Sequence, residues 1–422
     1  MAEVCDLGKT SDVVLALLLF DWQSQPRWKH VMARFSTLIV FVTISTMNGA
    51  VAGAPPDADL PAATFTELLK KQHAVAIAQL DETPSLRGED YDGVFQVTSL
   101  LKGPSELGHS RVTASVPSQR AKDEIFLVTA TRRKSSGNVS WRVVGSVSDR
   151  CVQHLRQLTQ LEDESGERPK FFVNHLRDAD ETIALNSHLE LAYASDEDFH
   201  SAATQMPRAK LMSWLQAKDV PGYAERIYLS MLARCGTKTD AQWLKKQILA
   251  NPERQQLDAW LGCYLALEGP EGLALVDERY LSNGEARILE VYSAIQSLRF
   301  VRGLPESSIS TEQLTASFRR VLKNHLMADL VISDLAYAHD WDSVDQVARL
   351  YEVEELSFAR VPVVNFLRAC PGDRAKNELA KLRGRDPKGI KRAESFYPNG
   401  FPANPTPTRI RTPRRPGGVF RC

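Results

Sequence analysis

Residues 221 to 250 read Pro-Gly-Tyr-Ala-Glu-Arg-Ile-Tyr-Leu-Ser-Met-Leu-Ala-Arg-Cys-Gly-Thr-Lys-Thr-Asp-Ala-Gln-Trp-Leu-Lys-Lys-Gln-Ile-Leu-Ala. Ala224, Ile227, Tyr228, Met231 and Leu232 recur at three- and four-residue intervals, which places them on one face of a helix. Gly236 stops that stripe. Thr239 and Gln242 then predict a capping box, the hydroxyl accepting from a first-turn N–H while the carboxamide reaches back. Ala241, Leu244 and Ile248 carry the apolar face of a second helix. Such a pair cannot bury its apolar faces alone and is the unit from which stacked helical arrays are built.

Working outward, the pattern continues. Leu257, Trp260, Leu261 and Tyr264 form another stripe, ended by Gly269-Pro270, with Leu273 and Val276 on its partner. Ser310 and Gln313 cap a helix carrying Leu314, Phe318, Val321 and Leu322, and Asp342 caps one carrying Val344, Val347, Ala348 and Tyr351. The pairs start near residues 221, 256, 286, 327 and 358, at spacings of 35, 30, 41 and 31 residues. That range, without a tetratricopeptide or ankyrin consensus, predicts an irregular HEAT-like array over residues 153 to 383. A non-repetitive helical domain is the rival.

Upstream of about Arg168 the period is two. Five strands are predicted at 74–80, 94–100, 112–116, 125–130 and 141–147, after a brief helix at 65–71. Val112 to Val116 alternates as a half-buried strand should, whereas Ile125 to Val128 is continuous and fits a strand covered on both faces. Turn residues such as Lys102-Gly103-Pro104 and Ser135-Ser136-Gly137-Asn138 separate them. Five short strands without crossover helices imply a small antiparallel barrel or sandwich over residues 53 to 152. The overall class is therefore α+β and multidomain.

Two resemblances sharpen this. Residues 93 to 103, Gly-Val-Phe-Gln-Val-Thr-Ser-Leu-Leu-Lys-Gly, and 123 to 128, Asp-Glu-Ile-Phe-Leu-Val, resemble the OB-like barrel of tissue inhibitors of metalloproteinases and netrin-type modules. The N-terminal cysteine through which those inhibitors engage zinc has no counterpart here, so the resemblance implies only the fold. Residues 328 to 336, the His339-Asp340-Trp341 turn, 361 to 371 and 386 to 393 resemble stretches of uncharacterised exported planctomycete-type proteins, which implies architecture and export but no chemistry.

Residues 32 to 52 have the layout of a signal peptide: Arg34, an apolar run from Leu38 to Ile44, and the small-residue site Ala50-Val51-Ala52. Export to the periplasm or cell envelope with cleavage after Ala52 is expected, with Met32 rather than Met1 as the start; an uncleaved signal-anchor over residues 35 to 52 is the rival. Neither apolar run among the first 52 residues reaches the roughly 20 residues of a transmembrane span. Lysine plus arginine and aspartate plus glutamate both number 52, so the net charge is zero. Ten Lys/Arg against two Asp/Glu from Arg383 onward make the C-terminus basic and the body mildly acidic. The last residues hold Pro398, Pro402, Pro405, Pro407, Pro413 and Pro416, and residues 384 to 422 are expected to be a disordered basic tail able to touch an anionic surface. An acidic body is not that of a nucleic-acid-binding protein. The six cysteines, Cys5, Cys151, Cys235, Cys263, Cys370 and Cys422, are widely spaced and form no C-x-x-C, which disfavours both a disulfide framework and a zinc site.

No catalytic, cofactor-binding or metal-binding residue is assigned. His339, Asp340, Asp342 and Asp345 cluster around Trp341, but a helix-helix turn with Asp342 as N-cap explains them. There is no His-Glu-x-x-His and no Gly-x-Ser-x-Gly, and Gly269-Pro270-Glu271-Gly272 lacks the lysine of a phosphate loop. Trp214, Trp243 and Trp260 fall on helical stripes and read as core rather than as a ligand platform. The expected function is an exported, non-enzymatic binding or scaffold protein whose helical array holds a protein or envelope polymer. The alternative is an envelope enzyme or enzyme inhibitor with a site at the junction of barrel and array.

Overall fold

A computed structural model describes residues 63 to 396 except 88, 89, 117, 134, 162–166, 219, 252, 325 and 354–357. The expected signal peptide at 32–52 and the tail from 397 lie outside the described residues. Helix α1 (Phe65–Lys71) precedes five strands: β1 (Ala74–Arg87), β2 (Asp90–Lys102), β3 (Arg111–Val116), β4 (Ile125–Arg132) and β5 (Val139–Ser146). All neighbouring pairs are antiparallel, in the order β3-β2-β1-β4-β5. Four register shifts along β1–β2 bend the long strands and curl the sheet. The inner face gathers Ala76, Ala78, Leu80, Phe95, Val97, Val112, Ala114, Val116, Phe126 and Val128 into its own core.

The sheet does not close into the small barrel that the strand pattern predicts. The edge strands β3 and β5 approach one another but share no ladder, so the sheet stays open. β3 is only six residues long and β5 is largely exposed, which leaves little to close with.

The outer face of the sheet is not free. Val75, Ile77 and Leu127 point away from the inner core and join the main cluster with Phe65, Leu68, Cys151 and Leu155. Cys151 and Leu155 belong to α2 (Asp149–Gln160), capped by Ser148, whose hydroxyl accepts from the Cys151 N–H at 3.0 Å. Helical structure thus begins at Asp149, some twenty residues before the period change expected near Arg168. Next come α3 (Glu167–Asn174), α4 (Glu181–Ala192), α5 (Asp196–Gln205) and α6 (Arg208–Leu215). Helix α4 anchors α1: Asn186 Oδ1 accepts from the Phe65 N–H at 2.9 Å and Glu190 Oε1 from the Thr66 N–H at 2.8 Å. These bonds satisfy donors that a helix N-terminus leaves unpaired.

The pairs follow: α7 (Gly222–Cys235) and α8 (Lys238–Ala250); α9 (Leu257–Glu268) and the short α10 (Leu273–Val276); α11 (Ile288–Arg302) and α12 (Thr311–Val321); α13 (Ala328–Tyr337) and α14 (Val344–Leu350); α15 (Arg360–Ala369) and α16 (Asp373–Arg385); then α17 (Pro387–Phe396). The first helices begin within two residues of the starts read from the sequence. They stack in sequence, α7 on α9, α9 on α11, α13 on α15 and α15 on α17. Gly262 shows how close α9 and α11 come: a Cβ there would meet the Phe300 ring at 2.7 Å.

Three local expectations shift. The α8 box uses Thr237 and Asp240, whose carboxylate accepts from the Thr237 N–H at 2.8 Å, rather than Thr239 and Gln242. Asp340, not Asp342, precedes the turn that opens α14. Residues 387 to 396, expected within the disordered tail, form α17, with Ile390 and Ala393 buried. The Ser310–Gln313 box stands as expected. No described helix is long and apolar enough to cross a membrane.

Candidate binding cleft on the helical array

The N-terminal ends of α7, α9 and α11 lie side by side. Arg226 and Asp258, in the first turns of α7 and α9, pair at 2.6 Å. Arg287, which precedes α11, reaches Glu253, which precedes α9, at 2.7 Å. At the other end Arg302 of α11 lies over the Tyr337 ring of α13.

A cleft of about 340 Å³ opens on the N-terminal edge, lined by Leu215 at the end of α6, Gln216 to Lys218 and Val220 after it, Glu225 of α7, Trp243 and Gln247 of α8, Arg254 in the α8–α9 loop, and Trp260 of α9. Its size is at the small end of the range for ligand sites, roughly 300–1,000 Å³. The guanidinium of Arg254 lies 3.9 Å over the Trp260 ring. This stacked cation is largely buried, its side chain 17% exposed, and its Nε has no hydrogen-bond partner. The nearest carboxylate, Glu225, is 3.8 Å away, too far for a hydrogen bond. Burial depresses the Arg254 pKa and raises that of Glu225, which the neighbouring Trp260 indole and Arg254 partly hold down. A dry guanidinium with an unspent donor, beside an aromatic face and two carboxamides, can bind an anionic or polar ligand.

Trp243 and Trp260 were expected to be core. Trp260 is, at 1% exposed, but Trp243 is half-buried against it, ring centroids 5.4 Å apart, and lines the cleft. Trp214 is packed on Tyr228 and carries Lys210 over its ring at 5.0 Å. Sequence reasoning gave no signal for Arg254 or Glu225.

Three of the four residues of the His339 cluster are spent on structure. Asp340 takes Arg319 and the Ser343 hydroxyl, Asp345 takes Arg374, and His339, at φ 55°, stacks on Trp341. Among the described residues no group of three or more His, Cys, Asp or Glu is placed to hold a metal ion. At the junction of sheet and array, burial pushes the Cys151 thiol up to about 12 and the His154 imidazole down to about 4. A thiol so raised supplies no thiolate near neutral pH. Cys151, Cys235, Cys263 and Cys370 are all free.

No family model, curated protein or solved structure matches this chain.

Proposed function

We propose that this is an exported, non-enzymatic binding or scaffold protein of the cell envelope, which holds its partner along the N-terminal edge of the helical array. One observation carries the reading: large apolar side chains stand exposed where the first helices begin. Tyr223 opens α7, Leu289 and Tyr292 open α11, and Leu326 and Phe358 precede α13 and α15, while Leu249 and Tyr337 are exposed at the ends of α8 and α13. Scattered exposed hydrophobics need no explanation, but a recurrence at the same place in successive units marks an interaction surface. The 32–52 pattern supports export. The strand order and the approach of β3 to β5 support an OB-like relationship for the sheet, and the pair spacing supports a HEAT-like one for the array.

The rival placement of a catalytic site at the junction has less behind it, since burial there keeps the Cys151 thiol protonated. The test is a Tyr292→Asp, Leu326→Asp double variant, compared with the wild type by cross-linking in the native envelope fraction. Loss of the cross-linked species with an unchanged melting temperature is expected, because both side chains are largely exposed. Full retention of cross-linking, or recovery of the protein from the cytosol with residues 1 to 52 attached, would overturn the reading.

A further inference from the structure

The cleft has a composition that the apolar edge around it lacks, and it points to one ligand chemistry. We propose that it binds a carboxylated sugar residue of an acidic polysaccharide, with the Arg254 guanidinium on the sugar carboxylate and Trp243 under the ring. This deepens the proposed function, on which it rests, by naming the partner class at one place on the same edge.

Charge supplies the first argument. The ionisable lining residues are Lys218, Arg254 and Glu225, which sum to +1. Arg254 is the buried member, and its Nε donor is unspent while Glu225 stays 3.8 Å away. A single carboxylate on the exposed part of that guanidinium balances the charge, whereas a phosphate dianion would meet the Glu225 carboxylate without a second cation at the same depth. Shape supplies the second. Trp243 is half-buried and lines the cleft, so part of its ring is open to the apolar face of a pyranose, while Gln216, Gln247 and Glu225 offer donors and acceptors suited to ring hydroxyls. The backbone supplies the third. An extended peptide binds by adding to a sheet edge or lying in a long groove. The cleft is walled by helices and short connections, with no strand edge among its lining residues.

Arg254 is already stacked on Trp260 and so pre-ordered, which lowers the entropic cost of binding. Two substitutions separate the parts. Arg254→Lys keeps the charge but loses the planar fork, and Trp243→Ala removes the platform.

The experiment is a titration of the purified full chain with trigalacturonate, followed by tryptophan fluorescence and checked by calorimetry. A neutral trisaccharide, maltotriose, and inorganic phosphate serve as comparison ligands. Saturable binding of trigalacturonate is expected, weakened about tenfold or more for maltotriose and in both variants, since a fork-to-point-charge change forfeits a bidentate pair. Circular dichroism and the melting temperature of Arg254→Lys are to be measured alongside, so that misfolding cannot imitate lost affinity. Equal binding of the neutral and acidic trisaccharides, tighter binding of phosphate, binding unaffected by either variant, or no binding of trigalacturonate by the folded wild type would each overturn the assignment. If it falls while cross-linking still depends on Tyr292 and Leu326, the binding-protein reading stands and only the ligand class is lost.

Discussion

His154 is a buried imidazole that the fold keeps neutral. Its ring centroid lies 4.6 Å from those of Phe171 and His175, and neither ring nitrogen has a hydrogen-bond partner. Burial first, and His175 second, push its pKa down to about 4, against about 6.5 in an unfolded chain. A folded value below the unfolded one means that the contribution of His154 is fully present above pH 6.5 and is lost as the pH falls from there towards 4. Phenylalanine keeps an aromatic ring among Phe65, Phe171 and His175 and removes the titration. His154→Phe should therefore gain roughly 2 kcal/mol on the wild type between pH 7.5 and pH 4.5, read by urea unfolding at both values. Asp329, raised to about 6 by burial, works in the opposite direction over part of that window, so the difference between variant and wild type is the informative quantity. An equal difference at both pH values would show that the imidazole titrates as if solvated.

Between elements, the array is tied by arginine–carboxylate pairs about one unit apart in sequence. Arg208 holds Asp240, Arg226 holds Asp258, and Arg299 and Arg302 both hold Asp334. The last is the most buried, with Asp334 3% exposed and each arginine about a fifth exposed. Removing one partner of a buried pair leaves uncompensated charge and costs about 3–5 kcal/mol, even where the intact pair adds little net stability. Asp334→Ala should lose that much in urea unfolding and Asp258→Ala, at the better solvated pair, clearly less. Equal losses would mean that burial does not set the cost. These pairs also explain what the sequence left illegible. The strands and the α1 helix were readable because alternation and apolar stripes are local. The Thr239–Gln242 motif fitted a capping box just as well on paper, but Asp240 is fixed by Arg208, 32 residues away, and that selects the frame beginning at Thr237. Asp340 displaces Asp342 for the same reason, since Arg319 holds it from α12.

Across the whole molecule, the sheet and the array share a core through Val75, Ile77 and Leu127, so the passage from strands to helices at Asp149 is no gap between independent cores. The cleft was invisible in the sequence because Trp243 and Trp260 sit on equivalent-looking stripes, and only the approach of the α6–α7 and α8–α9 connections leaves one half open. The C-terminal end shows the same effect of tertiary context. Residues 387 to 396 are basic and begin with a proline, yet Ile390 and Ala393 give α17 a small apolar face that packs on α15. Asp386 fixes its start, accepting from the Gly389 N–H at 2.8 Å and from the Tyr351 hydroxyl at 3.0 Å. Truncation after Phe396 and after Arg385 should therefore differ. The first removes proline-rich sequence with no apolar periodicity and is expected to leave the melting temperature unchanged. The second uncovers α15, and burying one isoleucine is worth roughly 1.5–3 kcal/mol before the helix's other contacts are counted. In a stacked array such a loss falls mainly on neighbouring units, so hydrogen exchange should accelerate in α13 to α16 while the protection of β1 and β4 stays as it was. If both truncations leave exchange in α15 untouched, α17 is an ornament on the array. If the sheet loosens together with α15, the chain unfolds as one cooperative unit and the nearest-neighbour description fails.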